Sequence, residues 1–300
     1  PAAAERWQIS EDRKTYTFHI RQDAMWSNGD QVTSRDFVYG WRRAILPDFA
    51  ADYTFLLFSI KGAKKFFEWR IAQLAQYAKQ DDSKRTSEAA IHLWNETKVK
   101  FDKLVGIETP DDRTLIVHLE NPTAYFLDLC AFMTFAPVHE ASIRQYEIGP
   151  SASGGEVEQG VKYFEPGNLV GNGPYVLARR RPRRDLLLLG NEHFWNRKAI
   201  GNHSVYFKII ENPQTALWSY RHGEADWWPD MIPDSVAADL IEAGVPHIHS
   251  QMAAATYYLI FNCNPKLPDG KTDNPFHDPR VRRAFSMAVN REKIVKSVTR

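Results

Sequence analysis

Apolar and polar residues alternate in two short segments that we expect to be β-strands. Residues 15–20 read Thr-Tyr-Thr-Phe-His-Ile, and residues 114–119 read Thr-Leu-Ile-Val-His-Leu. Every second side chain of such a segment can face a core while its neighbours face solvent. Between the two segments, the pair Asn28-Gly29 predicts a tight turn, because these residue types adopt positive φ easily. The beginning of the chain is therefore predicted to contain strands joined by turns.

Helical spacing of three to four residues dominates the next part of the chain. The Thr-x-x-Asp pattern from Thr33 to Asp36 predicts a capped helix start. A longer helical region covers about 61–106 and ends at Gly106, a typical residue beyond a helix C-terminus. The apolar faces expected there are Phe67, Ile71, Leu74 and Ala78 before a polar break, and Ala90, Trp94, Thr97, Phe101 and Val105 after it.

Strands and helices continue to alternate to the end of the chain, which favours an α/β or α+β class over an all-helical or all-β one. Residues 149–160 are rich in Gly, Ser and Glu and are the best candidate for a linker. Further strands are expected at 175–177, 185–189, 205–210 and 255–262, and further helices at 138–146, 213–223 and 233–244.

Composition and charge exclude several classes of protein. The 300 residues are 43% hydrophobic and 25% charged, which is typical of a globular protein. The net charge of +1 gives no overall field that would attract nucleic acid, and we expect no nucleic-acid partner. The chain starts without a recognisable targeting signal. Five arginines between 179 and 184 form the strongest charge cluster, and Pro182 within it indicates a solvated bend between two strands.

Candidate chemistry is sparse. Trp227 and Trp228 lie near Asp226, Asp230 and Asp234, a composition that a carbohydrate-active enzyme could use. The separation of these carboxylates is not specified by the sequence, so this remains an alternative.

Metal and thiol chemistry find little support in the residue pattern. His247 and His249 would share one face of a strand, but no third ligand is near them in sequence, and we expect no metal site. Cys130 and Cys263 are too far apart in sequence to suggest a metal motif or a disulfide framework, and Cys130, in an apolar run, is expected to be a buried free thiol.

Several motifs in a fixed order resemble the extracellular solute-binding proteins of ABC importers, family 5, the dipeptide/oligopeptide-binding type. They cover nearly the whole chain, and their order and spacing make the match specific. The matching segments are Ala3–Trp7, Thr15–Arg21, Trp26–Arg43, Asp111–Leu115, Tyr125–Val138, Asn172–Tyr175, Asn191–Asn196, Tyr220–Asp226, Phe261–Asn262 and Asp278–Ser286.

The resemblance implies an α/β, periplasmic-binding-protein-like fold of type II, with three domains in two lobes that close over a ligand. It places residues 1–146 in domain II, with a helical insertion at about 61–106. Residues 147–252 would form the main part of domain I, and residues 253–300 the start of domain III. By the same resemblance we expect the chain to be truncated at both ends.

The resemblance also implies a function and a site. We expect a non-catalytic, cofactor-free, monomeric protein that captures oligopeptides or dipeptides and delivers them to membrane permease subunits of an ABC transporter. It would act in the periplasm or as a cell-surface lipoprotein. Tyr53 and Tyr258 match ligand-contacting tyrosines, and Trp228 and Asp230 fall where relatives place a Tyr-Asn-Asn ligand loop. Because that loop differs here, a sugar, a nickel chelate or an opine remains an alternative ligand.

Overall fold

The computed structural model describes residues 3–229, 232, 234–245, 248 and 258–294. The chain divides into two compact units, Pro1–Ile209 and Ile210–Arg300, called the first and the second unit below. The predicted domain boundaries near 146 and 252 rest on the family resemblance, and this division into units does not test them. They stay predictions.

A four-stranded antiparallel sheet with the order β1-β2-β4-β3 forms the base of the first unit. Its strands are β1 (Ala4–Ile9), β2 (Thr15–Ile20), β3 (Ile107–Asp111) and β4 (Thr114–His118). Tyr16 of β2 lies opposite Val117 of β4, and both side chains are buried. The alternation predicted for both segments is therefore confirmed, because the inward residues of the two strands share one core face.

Helix α1 (Ser34–Ile45) packs its apolar face against this sheet. Thr33 and Asp36 form the predicted capping box: the Thr33 amide and hydroxyl both donate to the Asp36 carboxylate, at 2.7 and 3.0 Å. The buried indole of Trp26 donates to the same carboxylate at 3.3 Å, so the cap also ties the preceding loop to the helix. Burial raises the pKa of Asp36, although its bonds to Thr33 and Trp26 act in the opposite direction.

The helical region predicted at 61–106 consists of α2 (Ala63–Ala78) and α3 (Ser87–Leu104). The face expected for the first helix was wrong: Ile71 is largely exposed, while Phe66, Arg70 and Tyr77 are buried. A charged residue lies at the centre of the buried face, and a hydrophobic pattern cannot reveal that. In α3 the predicted face is largely confirmed; its buried residues are Ala90, Leu93, Thr97 and Phe101.

The rest of the first unit consists of short elements. They are α4 (Phe126–Cys130), α5 (Glu140–Arg144), β5 (Glu147–Pro150), β6 (Val157–Gln159), β7 (Tyr175–Arg181), β8 (Asp185–Gly190) and β9 (Ser204–Lys208). The predicted linker at 149–160 contains strand pairing instead, because β5 and β6 form an antiparallel pair. A separate three-stranded antiparallel sheet has the order β7-β8-β9.

The second unit is helical in its described part. It contains α6 (Pro213–Arg221), α7 (Asp234–Glu242), α8 (Pro279–Ala288) and α9 (Arg291–Ile294). The strand predicted at 255–262 is absent from its described portion, 258–262, and the remainder of it lies outside the described residues. None of the helices in the described ranges is long and apolar enough to cross a membrane.

Candidate functional site

Tyr53 stands at the surface of the first unit within a group of aromatic side chains. Its ring lies edge-on to Phe132, with the ring centroids 4.9 Å apart, and tilted against Phe55 at 6.2 Å. Tyr53 is 44% exposed and Phe55 is 59% exposed. A rigid aromatic surface that carries a hydroxyl group suits contact with a ligand that has both apolar and polar groups.

Both members of the Tyr53–Phe132 pair are held by buried neighbours. Tyr53 precedes a 3₁₀-helix (Thr54–Ser59), and the buried Thr54 hydroxyl bonds to the carbonyl oxygens of Ala44 and Ala51, at 2.8 Å each. On the other side, the buried Trp41 indole of α1 donates to the Phe135 carbonyl at 2.8 Å. That bond fixes the turn that follows Phe132. The pair is therefore preorganised, which lowers the entropic cost of binding.

A second anchor lies just before Tyr53, in the 3₁₀-turn Pro47–Phe49. Arg70 of α2 and Asp48 form an ion pair whose side chains are both 0% exposed, with distances of 3.1 Å from Nε and 2.6 Å from Nη2 to the carboxylate. The same guanidinium donates to the Thr97 hydroxyl at 3.0 Å and to the Gly155 carbonyl at 2.9 Å. The amide of Val157 donates to Asp48 at 2.9 Å. Helices α2 and α3 are thereby fixed to the segment that carries Tyr53.

An apolar cavity of about 570 Å³ lies beside the aromatic pair and shares Phe132 with it. Its volume is in the range of small-molecule sites, and it is bounded by the sheet, α1 and the segment after α4. The residues that line it are aromatic or aliphatic apart from Asn172 and Cys130, and include Trp7, Phe18, Phe37, Trp41 and Met133. Such a cavity accepts uncharged apolar groups, since no ionised side chain lines it.

Two further features of the described residues bear on the chemistry of this site, namely the Cys130 thiol and the placement of metal-ligating side chains. Burial raises the pKa of Cys130 to about 12, so its thiol is neutral at physiological pH and is a poor nucleophile. Within the described ranges, no group of three or more His, Cys, Asp or Glu side chains is placed to hold a metal ion. The candidates His247 and His249 lie outside the described residues.

The other predicted contact residues belong to the second unit. Trp228 is partly exposed, and Tyr258 is 68% exposed and followed by the still more exposed Leu259 and Ile260. Asp230 lies outside the described residues. The roles of these residues, like that of Tyr53, stay predictions.

Sequence reasoning did not identify Phe55 and Phe132 as part of this surface. Phe55 stands two positions after Tyr53, so neighbouring aromatic residues could have indicated it. Phe132 is far away in sequence, and only packing places it beside Tyr53. No pattern within either segment predicts the contact between Tyr53 and Phe132.

Comparison with known proteins gives one consistent family. The model of the bacterial extracellular solute-binding proteins, family 5 Middle, matches residues 1–300. The dipeptide-binding protein DppE of Bacillus subtilis is 30% identical over 301 residues, covering 100% of this chain and 45% of that protein. The periplasmic oligopeptide-binding protein OppA of Escherichia coli is 30% identical over 298 residues, covering 99% and 46%. The chain thus spans about half the length of the curated relatives it matches.

Solved structures agree with the sequence comparison. The murein tripeptide binding protein MppA of Escherichia coli matches with a TM-score of 0.76 and 26% identity, over 99% of this chain and 48% of that one. OppA of Haemophilus influenzae, in complex with the peptide RPPGFSPFR, matches with a TM-score of 0.71 and 26% identity, over 99% and 49%. The predicted α/β binding-protein fold is confirmed by these structures.

Proposed function

Because the chain belongs to the bacterial extracellular solute-binding proteins of family 5, we propose that it is the part of an importer's binding protein that contacts a peptide. The observation that supports this most directly is the pair of the exposed Tyr53 and the partly exposed Phe132, held by buried neighbours next to an apolar cavity. An apolar peptide side chain would pack on these rings, while the Tyr53 hydroxyl remains available to the peptide backbone. Relatives named for peptides support the same ligand class.

The second unit, taken by itself, carries the other residues that we propose as ligand contacts. Trp228, Asp230 and Tyr258 would contribute further contacts, and the domain boundaries near 146 and 252 would place them in the lobes that enclose the ligand. The protein would act as a monomer, deliver its ligand to membrane permease subunits and perform no catalysis. Its relatives are periplasmic or extracellular binding proteins. For this chain we propose the same side of the membrane, either in the periplasm or at the cell surface with a lipid anchor.

Calorimetric titration with di- to pentapeptides tests this proposal. We expect Tyr53→Ala and Phe132→Ala to weaken peptide binding about tenfold or more, because truncating a central aromatic contact commonly costs over 1 kcal/mol. Tyr53→Phe separates the hydroxyl from the ring. Tyr206→Ala, which removes another exposed tyrosine of the same unit, is the matched control and is expected to bind normally.

The competing ligands and activities give different results. Binding of a sugar, a nickel chelate or an opine without any peptide binding would overturn the peptide assignment. Turnover of a carbohydrate that Asp226→Asn and Asp230→Asn abolish would instead support an enzyme. The comparisons do not favour that alternative, because the named relatives are binding proteins.

A further inference from the structure

The hairpin between β7 and β8 ends in a tip of five arginines, Arg179, Arg180, Arg181, Arg183 and Arg184, called the arginine tip below. The Arg184 amide donates to the Arg181 carbonyl at 3.0 Å, which closes a four-residue turn. Pro182 occupies the second position of this turn, and Arg183 the third with φ 58°. Glycine is the favoured residue at such a left-handed position, so an arginine there leaves the backbone strained.

One buried carboxylate organises the base of the tip. The side chain of Asp185 is 1% exposed and accepts from the Nε atoms of Arg179 at 3.2 Å and Arg181 at 2.9 Å. The Tyr206 hydroxyl of β9 donates to it at 3.3 Å. The two arginines lower the pKa of Asp185, Arg181 having the larger effect. Both guanidinium groups are therefore held in place and still partly exposed.

Positive charge remains in excess around the turn. Arg180 points to the other face of the hairpin, where it forms a long ion pair with Glu165 at 3.9 Å. Arg183 and Arg184 are exposed at the apex. Five guanidinium groups thus face two carboxylates, within a chain whose net charge is only +1. The charge is a local feature and not the result of a basic protein.

We propose that the arginine tip docks on an anionic phospholipid surface by binding headgroup phosphates. Guanidinium groups match phosphate oxygens in a two-pronged geometry, and clustered basic residues bind anionic bilayers. A narrow convex tip with charge on both faces can contact a flat surface of phosphates. Nucleic acid binding usually requires a longer positively charged groove that follows the backbone. The half-exposed Tyr206 beside Arg179 adds an amphipathic ring of the kind found at membrane interfaces.

A protein partner fits the tip less well. The centre of a protein interface is poor in charge and rich in apolar contact, and the apex residues Pro182, Arg183 and Arg184 offer little of that. This proposal does not depend on peptide binding, so the two can fail separately.

Vesicle co-sedimentation with two glycine variants tests the proposal. Arg183→Gly removes one charge and relieves the left-handed strain, so its thermal midpoint is expected to be unchanged or higher. Arg13→Gly is a matched control, because Arg13 is also exposed and left-handed, with φ 55°, in the turn between β1 and β2. The two variants have the same net charge.

Wild-type protein should bind vesicles of phosphatidylglycerol and phosphatidylcholine, and should bind pure phosphatidylcholine vesicles far more weakly. Arg183→Gly should lower the partition coefficient about fivefold, and Arg183→Gly with Arg184→Gln about 25-fold, while Arg13→Gly changes little. Raised salt should weaken wild-type binding.

Three results would overturn the proposal. The first is equal binding to both kinds of vesicle. The second is an equal loss in Arg13→Gly, which would point to net charge alone. The third is tighter binding of duplex DNA or a polyglutamate peptide than of anionic vesicles, lost in Arg183→Gly, which would assign the tip to another class of partner.

Discussion

Replacing Arg70 with methionine is the most severe test of how the site is built. Arg70 is fully buried and bonds to Asp48, Thr97 and the Gly155 carbonyl. The substitution preserves most of the side-chain volume but leaves the Asp48 carboxylate in the interior with the Val157 amide as its remaining hydrogen-bond donor. Breaking a buried pair by removing one partner commonly costs about 3–5 kcal/mol, because one charge remains buried without compensation.

In a unit of this size, that loss corresponds to a fall in the unfolding midpoint on the order of 10 °C. Thermal and urea unfolding, followed by tryptophan fluorescence, measure it. Since Asp48 lies five residues before Tyr53, we also expect Arg70→Met to bind peptide more weakly than wild type, even at a temperature where the variant is fully folded.

A double variant separates the charge effect from the packing effect. Arg70→Met with Asp48→Leu removes both charges, and we expect it to recover to within about 1–2 kcal/mol of wild type. Lys64→Met is the control on the same helix, because its pair with Glu68 is exposed and long at 3.9 Å. It should cost less than about 1 kcal/mol. A small effect of Arg70→Met, or simple additivity in the double variant, would refute the reasoning.

Three further predictions concern single groups. Trp41→Phe removes the indole N–H that donates to the Phe135 carbonyl and should cost about 1–3 kcal/mol in urea unfolding, with the core packing otherwise kept. Burial raises the pKa of Asp36 above its unfolded value, so the folded state binds this proton more tightly and the group's contribution to stability falls as pH rises through the raised pKa. The unfolding free energy of Asp36→Asn, measured beside wild type across the acid range, should lack this pH dependence, and parallel pH profiles of the two proteins would contradict it. The pKa of Cys130 is raised to about 12 and its side chain is only partly exposed, whereas Cys263 is exposed. A thiol reagent at mildly alkaline pH should therefore modify Cys263 quickly and Cys130 much more slowly, and equal rates for the two thiols in the folded protein would contradict this.

Local patterns of the sequence determined many of the elements. The alternation in β2 and β4 and the capping box at Thr33 carry their information within a few residues, because strand period and helix caps are local geometry. The bend at Pro182 is likewise local, since proline fixes its own φ. The family was indicated by motifs in order, and the comparisons confirm it.

Tertiary structure alone decided the buried face of α2 and the composition of the aromatic surface. A hydrophobic pattern cannot predict that α2 buries Arg70, because the buried charge is stabilised only by its ion pair with Asp48, which belongs to another segment. Phe132 became a partner of Tyr53 in the same way, through packing across a long stretch of chain. The sequence by itself therefore determined which elements form and to which family the chain belongs. Contacts between distant segments decided how the site is held, because their energies depend on neighbours that local sequence does not specify.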